Sequence, residues 1–417
     1  MLAEIIKTPQ SSDGLSDLVE LMRRSRAAVA FEHPVLSWLE SSQVENPTLI
    51  YDLDTVANRM QRLAEVAKPL FVEPLAAVKS CPDHTYLDVC ASLLSGFDVS
   101  NIAEYECLPD DLRGKFVSVT APSLQLDFDL FTAKGNAAVI VLDSDSQVEH
   151  YFRQKSQVPY MLRVQGSDLV RSNDSGSCPA SRFGFTLQEV YHLLMRDDLK
   201  ARPPSGFHVH HGSERNSVET YRSIIAGLRV LAHECAIEPG VINLGGGWHL
   251  LNDVDIRNVL TEARRAFPQP WSILMEPGQW YAEKAGFAVG TIVNSASTDG
   301  VFKYVLDLSS ECHLKWSAVK LLYPMMEGSR KFAEVQFYGA SCYEADRIGK
   351  FMLPYEGDFV EQSGLLPGAR VVFTNVSLYS LAWNTSFNGI PRANILWWRD
   401  GRCLEPAVSA ASSAGNG

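Results

Sequence analysis

From Phe71 onward the chain repeats one pattern of hydrophobicity. A short, nearly unbroken apolar run is followed by a longer stretch whose apolar residues recur every three or four positions. The runs fall at residues 71–79, 96–100, 116–120, 138–143, 158–164, 206–211, 241–245 and 272–276. Continuous runs of this length, rich in Val, Ile and Phe, predict strands buried on both faces. The spacing between them predicts helices, at 123–134, 187–195, 218–234 and 253–267 among others. Eight such strands, most of them followed by a helix, predict an α/β fold built on a (β/α)8 TIM-like barrel. A doubly wound open sheet is the structural alternative, and it would favour a phosphate loop after its first strand, which is absent here.

The pattern changes on either side of this core. Residues 287–295, 304–308, 332–338 and 370–373 read as strands separated by Gly, Pro and Asp turns, which predicts a β domain over 286–405. The strand at 48–51 is expected to join it, with a helix from Asp54 to Ala67 after it, although the barrel region as a whole spans 46–285. Residues 14–42 read as mostly helical with a break at His33-Pro34, within an N-terminal extension over 1–45. The tail 406–417 is poor in apolar residues and is expected to be disordered.

Composition narrows the class. A chain of 417 residues with 46% apolar and 21% charged residues has material for a sizeable core and for two domains. A net charge of -12 disfavours a whole-surface grip on nucleic acid or acidic lipid. No uncharged apolar run is long enough to span a bilayer, and the N-terminus lacks the layout of a signal peptide. The eight cysteines form no CxxC pair and no zinc-like cluster. The expected setting is therefore a reducing cytoplasm.

In a (β/α)8 barrel the working groups stand at the C-terminal ends of the strands. Those ends carry Lys79, Asp98, Arg163, then His208, His210 and His211 with Gly212-Ser213, then Gly245-Gly246-Gly247, and finally Glu276-Pro277-Gly278. A lysine just past a buried strand can have a depressed pKa and act as a Schiff-base nucleophile. A triple glycine lets backbone N–H groups approach an anion with no Cβ in the way. Strand alternation sends His208 and His210 to one face and His211 to the other, which argues against a metal site. Lysine, phosphate cradle and buried carboxylate together point to pyridoxal 5'-phosphate. Lys79 would hold it covalently, Gly245–Gly247 and Ser213 would hold its phosphate, and Glu276 would face its ring nitrogen.

The motifs resemble those of the fold-type III pyridoxal-phosphate-dependent decarboxylases of ornithine, diaminopimelate and carboxynorspermidine. AAVK (76–79), GFDVSNIAEYE (96–106), SRFGF (181–185), HHGS (210–213), LGGGWH (244–249), EPGQW (276–280), GASCYEAD (339–346) and LYSLAWNTSFNGI (378–390) occur in the family's order. The closest resemblance within it is to carboxynorspermidine decarboxylase, through VLDLSSECH (305–313) and SCYEADRIG (341–349). The resemblance implies an alanine-racemase-like barrel plus C-terminal β domain, and α-decarboxylation of an amino acid. It implies that His210 stacks on the cofactor ring, that Gly278 and Tyr379 join the phosphate site, and that Cys342 protonates the product from a second subunit of a homodimer. His313, Glu344 and Asp346 are expected to face the substrate.

Two departures bear on the substrate. Gln279 stands where the family often has an arginine, and Leu314-Lys315-Trp316 replaces acidic residues expected after His313. The distal end of the substrate is therefore expected not to be a polycation. An aminocarboxypropyl group on a larger anionic or nucleotide-like carrier is one candidate. Two rival readings are an amino-acid racemase, which Glu276 opposes, and a non-catalytic relative of ornithine decarboxylase.

Overall fold

The computed structural model describes residues 33–404 except 43, 46, 124–126, 171–180, 213–215, 238 and 325–330. Most of the N-terminal extension and the tail lie outside the described residues. Contacts divide the chain into two compact units. One is Val56–Ala282; the other is the chain on either side of it, up to Thr55 and from Glu283. The first strand, β1 (Thr48–Asp52), belongs to the flanking unit.

The middle unit is a closed parallel barrel. Its strands are β2 (Val72–Ala77), β3 (Gly96–Val99), β4 (Phe116–Thr120), β5 (Ala137–Leu142), β6 (Tyr160–Arg163), β7 (Gly206–His208), β8 (Val241–Asn243) and β9 (Ser272–Met275). Pairing of Val72 with Ile273 closes the ring. The eight apolar runs of the sequence are these eight strands. Every residue of β3 and β6 is buried, which is why the runs are continuous rather than alternating.

Several helices begin where a side chain caps them. Ser217 and Thr220 form a reciprocal cap on Val218–Glu234. That helix buries Tyr221, Ile224, Ile225, Leu228, Leu231 and Ala232, a spacing of three and four that turns one face inward. Each large aliphatic side chain so buried stabilises the unit by about 1.5–3 kcal/mol. Of the helix expected over 123–134, residues 124–126 lie outside the described residues, and the rest contains a 3-10 turn at Phe128–Thr132. The Asp127 side chain accepts from Asp129 N–H and opens it, and Gly135, with φ +78°, follows it.

The flanking unit is a mixed sheet. Its strands after β1 are β10 (Gly286–Thr298), β11 (Val301–Leu306), β12 (Lys320–Tyr323), β13 (Lys331–Gly339), β14 (Arg347–Tyr355), β15 (Arg370–Val376), β16 (Asn394–Arg399) and β17 (Arg402–Leu404). The order is β14-β13-β11-β10-β1-β16-β17, with β15 pairing β10 and β12. β1 pairs antiparallel with β10 and parallel with β16, so the N-terminal strand joins this sheet as the sequence predicts. Helix Pro34–Ser41, capped by His33, contributes Val35 and Leu39 to a core with Ile50, Phe287, Val289, Leu322, Val372 and Trp398. No helix among the described residues is long and apolar enough to cross a membrane.

Candidate active site

The C-terminal ends of the barrel strands bring together most of the expected groups. β2 ends at Ala77 and turns into a 3-10 segment, Val78–Ser80, whose outer members are buried and whose middle one is Lys79. Ser80 Oγ donates to Ala77 O at 2.7 Å and fixes the turn. Lys79 Nζ donates to Asp98 Oδ2 at 3.3 Å. Asp98, on β3, is buried, and its Oδ1 has no hydrogen-bond partner among the described residues. Burial and the neighbouring charge of Glu276 outweigh Lys79 and push the Asp98 pKa up to about 8. Arg163 closes β6, and its Nη1 donates to Asp143 Oδ2 at 3.1 Å, both side chains being almost fully buried. The Arg163 and Arg182 guanidiniums lie 4.7 and 4.0 Å from the same Phe183 ring.

Glu276 follows β9 and is buried. Asn243, the last residue of β8, donates from Nδ2 to Oε1 at 2.7 Å. His208 Nε2 lies 3.4 Å from Oε1, and His210 Nδ1 lies 4.0 Å from Oε2. Burial works to raise the Glu276 pKa, but His208, His210 and Lys79 together hold it well below the usual carboxylate range. Burial lowers both histidines, His208 to about 4. These groups border a cavity of about 530 Å³, whose lining includes Lys79, Arg163, Arg182, His208, His210 and Glu276. His211 lines it too, contrary to strand alternation. The strand stops at His208, so alternation no longer governs His211, whose ring instead packs against the Gly166 backbone.

The glycine run is required by conformation and by space. Gly245 and Gly247 have φ of +60° and +91°. A Cβ on Gly247 would lie 1.9 Å from Asn216 Nδ2, and one on Gly245 would lie 2.4 Å from Val209 O. Trp248 Nε1 and Tyr221 Oη donate to the carbonyls of Gly245 and Gly246. The N–H of Gly245 donates to Asn243 Oδ1 at 2.9 Å, and that of Gly246 to His210 Nδ1 at 3.1 Å. Two of the run's three amides are therefore already bonded within the barrel. Gly278 is buried, and its N–H donates to Glu276 O. Ser213 lies outside the described residues.

The remaining expected residues belong to the flanking unit and cluster there. Asp346 is buried and accepts five hydrogen bonds, from Ser309 Oγ, Ser310 N–H and Oγ, and Ser341 N–H and Oγ. His313 is fully buried; its Nδ1 accepts from Ser309 N–H at 3.1 Å, and its Nε2–H donates to Pro391 O at 2.9 Å. Neither ring nitrogen of His313 has a bond left for a substrate. Cys342 is exposed, and its backbone N–H donates to Asn388 Oδ1 at 2.9 Å. The Glu344 side chain is 94% exposed and faces Arg347 at 3.2 Å. Tyr379 opens a short helix, its ring 5.8 Å from that of Trp316. Lys315 is paired with Glu311 at 2.7 Å.

Sequence reading gave no role to Asn243, Asp143 or Arg182, and none to His208 beyond its place at a strand end. Asp143 and Asn243 each end or follow an apolar strand run, and that polar interruption is the signal that marks them.

The residues present fit pyridoxal 5'-phosphate. Among the described residues, the buried Asp98 Oδ1 has no hydrogen bond, which in a native site points to a missing partner. It stands with a lysine amine, an ionised carboxylate and a left-handed glycine turn. A family model for the pyridoxal binding domain of pyridoxal-dependent decarboxylases matches residues 53–283, more than half of the chain. The chain belongs to the pyridoxal-phosphate-dependent decarboxylases. It is similar to the chloroplastic ornithine decarboxylase of Nicotiana glauca, 23% identical over 384 residues that cover 84% of this chain and 83% of that protein. It is also similar to the carboxyaminopropylagmatine decarboxylase of Synechocystis sp., 24% identical over 383 residues that cover 88% and 92%. The crystal structure of the Paramecium bursaria Chlorella virus arginine decarboxylase bound to agmatine has the same fold. Its TM-score is 0.73 at 18% identity, over 87% of this chain and 99% of that one.

Proposed function

We propose that this decarboxylase removes the α-carboxyl group of an amino acid whose distal end is not a polycation. The observation that carries it is the barrel cavity, where one amine, Lys79, and one ionised carboxylate, Glu276, share a pocket with Arg163 and Arg182. Pyridoxal 5'-phosphate bound there supplies an electrophilic carbon for the substrate amine and an electron sink for the pair left on Cα as CO2 departs. Lys79 offers the amine that would hold the cofactor, with the Asp98 carboxyl beside it as a hydrogen-bonding partner. Glu276 would present a carboxylate oxygen to the cofactor's ring nitrogen, and His210 would be the residue against its ring. Arg163, anchored by Asp143, keeps a fixed positive charge in the wall. Gly245–Gly247, Ser213, Gly278 and Tyr379 are assigned to the phosphate, with Gly247 N–H the amide of the triple-glycine run that has no bond among the described residues.

Cys342 is assigned the proton delivered to Cα, from a second copy of the chain. Trp316, Tyr343, Trp383 and Phe387 are each at least half exposed. They stand on loops tied together by Thr385 N–H to Cys312 O, Ser380 Oγ to Lys315 O and Cys342 N–H to Asn388 Oδ1. Exposed aromatics on such a platform suit an interface. Asp346 and His313, with their bonds spent inside the platform, hold Cys342 and Glu344 in place rather than touch substrate. If sites are shared, mixing inactive Lys79→Ala and Cys342→Ala subunits regenerates activity, whereas a fully active monomer refutes the shared site.

The distal end is read from charge. Ornithine and carboxyaminopropylagmatine, the substrates in the relatives' names, carry cationic distal ends. Among the described residues lining this cavity, Glu276 is the only acid, against Lys79, Arg163 and Arg182. An unanswered buried ammonium is costly. Lys315 no longer supports the reading, because Glu311 neutralises it. CO2 release by the holoenzyme from ornithine, lysine, carboxynorspermidine and a matched amino acid with a distal carboxylate or amide tests it. The expected kcat/KM favours the neutral or anionic distal group at least tenfold; a preference for carboxynorspermidine or ornithine overturns it.

A further inference from the structure

The two oxygens of Glu276 have different surroundings. Oε1 is taken up from inside the barrel, by Asn243 Nδ2 at 2.7 Å and by His208 Nε2 at 3.4 Å. Oε2 accepts no hydrogen bond among the described residues. Its neighbour His210 Nδ1 is 4.0 Å away and spends its lone pair on Gly246 N–H, so in that tautomer it has no proton to give.

Asn243 is bonded at both ends of its amide. Nδ2 donates to Glu276 Oε1 and lies 3.3 Å from Ser118 Oγ, while Oδ1 accepts the Gly245 N–H at 2.9 Å. Turning the amide over would set oxygen against oxygen at Glu276 and donor against donor at Gly245, so its orientation is fixed. One side chain thereby ties the carboxylate to the first residue of the glycine loop.

His208 is fully buried; among the described residues neither nitrogen makes a hydrogen bond, and Nε2 approaches Glu276 Oε1 at 3.4 Å. Around it and Glu276 stand Arg163 from β6, His210 beyond β7, Lys79 beyond β2 and Asp98 from β3. With the Arg163 and Lys79 charges nearby, a neutral ring whose Nε2–H points at Oε1 is the form that suits the site.

We propose that Asn243 and His208 are positioning residues that clamp Oε1 of Glu276, leaving Oε2 as the single oxygen offered to the cofactor's ring N–H. Asn243, through Gly245, also sets the spacing between that acceptor and the glycine loop. The proposal rests on the reading of Glu276 as the ring-nitrogen partner.

The test compares holoenzymes of wild type, Glu276→Gln, Asn243→Asp, His208→Leu and His208→Gln. Asn243→Asp keeps the acceptor for Gly245 and removes the donor to Oε1. The readouts are the pH midpoint of the cofactor's visible absorbance, the cofactor dissociation constant, and kcat against KM on the best substrate of the panel above. Loss of one charge-assisted hydrogen bond predicts a fall in kcat of about 10- to 100-fold with little change in KM for Asn243→Asp, and loss of the longer 3.4 Å approach predicts a smaller fall for His208→Leu. The absorbance midpoint moves in both, cofactor binding weakens in Asn243→Asp, and His208→Gln, which restores an N–H donor, recovers most of the loss. If Glu276→Gln shifts the midpoint while Asn243→Asp and His208→Leu match wild type, the clamp is refuted and the role of Glu276 stands. If Glu276→Gln itself shifts nothing, the underlying reading falls and the clamp with it. Should His208→Leu not fold, Asn243→Asp, the closest isostere, decides.

Discussion

Two buried aspartates, one in each unit, are treated in opposite ways. Asp346 in the β unit accepts five hydrogen bonds from three serines. Asp98 in the barrel has one oxygen on Lys79 and, among the described residues, nothing on the other. The histidines repeat the contrast: His313 uses both nitrogens, and His208 has no hydrogen bond on either among the described residues. A buried polar group with every bond made is part of the frame, because removing its partners would leave costly orphans. A buried polar group with bonds missing is held by the rest of the fold for another purpose: a bound group, as proposed around Asp98, or a charged neighbour, as for His208 beside Glu276. That contrast supports the proposal that the barrel cluster carries the chemistry and the β-unit cluster shapes the loops that carry Cys342.

The comparison is sharpened most by Lys79→Ala. Turnover should fall by several orders of magnitude, as for loss of a covalent catalyst. The apoprotein should stay folded with a modest change in Tm, since Lys79 is itself partly exposed and the buried Asp98 carboxyl, its pKa already raised to about 8, can keep its proton. A collapse in melting temperature would show that Lys79 is structural after all.

Asp346→Ala should behave in the reverse way. Five donors lose their acceptor, and unfolding should become easier by about 2–4 kcal/mol, read as a lower Tm. Cofactor binding to the barrel should be retained. An unchanged Tm with lost substrate affinity would return Asp346 to the substrate site.

A smaller effect separates the barrel aspartate. Asp98 has a folded pKa of about 8 against 3.8 for its ordinary value, so the folded state keeps a proton that the unfolded chain has lost. Its contribution to stability is complete below about pH 4 and is lost as pH rises through 8. His208, lowered from 6.5 to about 4, works in the opposite sense below pH 6.5. Between about pH 6.5 and 8 the Asp98 contribution stands without that opposition, and the Tm of the wild-type apoprotein should decline. In Asp98→Asn that decline should flatten. An equal slope in both proteins would place the titration elsewhere.

Much of this was legible in the sequence. Barrel strands buried on both faces leave uninterrupted apolar runs, so all eight were visible, and Lys79, Asp98, Arg163 and Glu276 could be placed at their ends. The β unit was harder to read. β14 buries only Phe351 and Leu353 of its nine residues, and a strand so weakly buried leaves little pattern. Hydrogen-bond saturation was illegible altogether: nothing in SCYEAD says that Asp346 is used up by serines from two separate loops. The pairing of Lys315 with Glu311 depends on a turn at 311–315 that brings residues four apart together, and no apolar periodicity marks that turn.

The central claim is that Lys79 holds pyridoxal 5'-phosphate in the barrel mouth. Borohydride reduction of the holoenzyme, followed by proteolysis and mass mapping, tests it directly. A single phosphopyridoxyl adduct on the peptide carrying Lys79, absent from Lys79→Ala, is the predicted result. An adduct on another lysine, or one that persists in Lys79→Ala, would contradict the account.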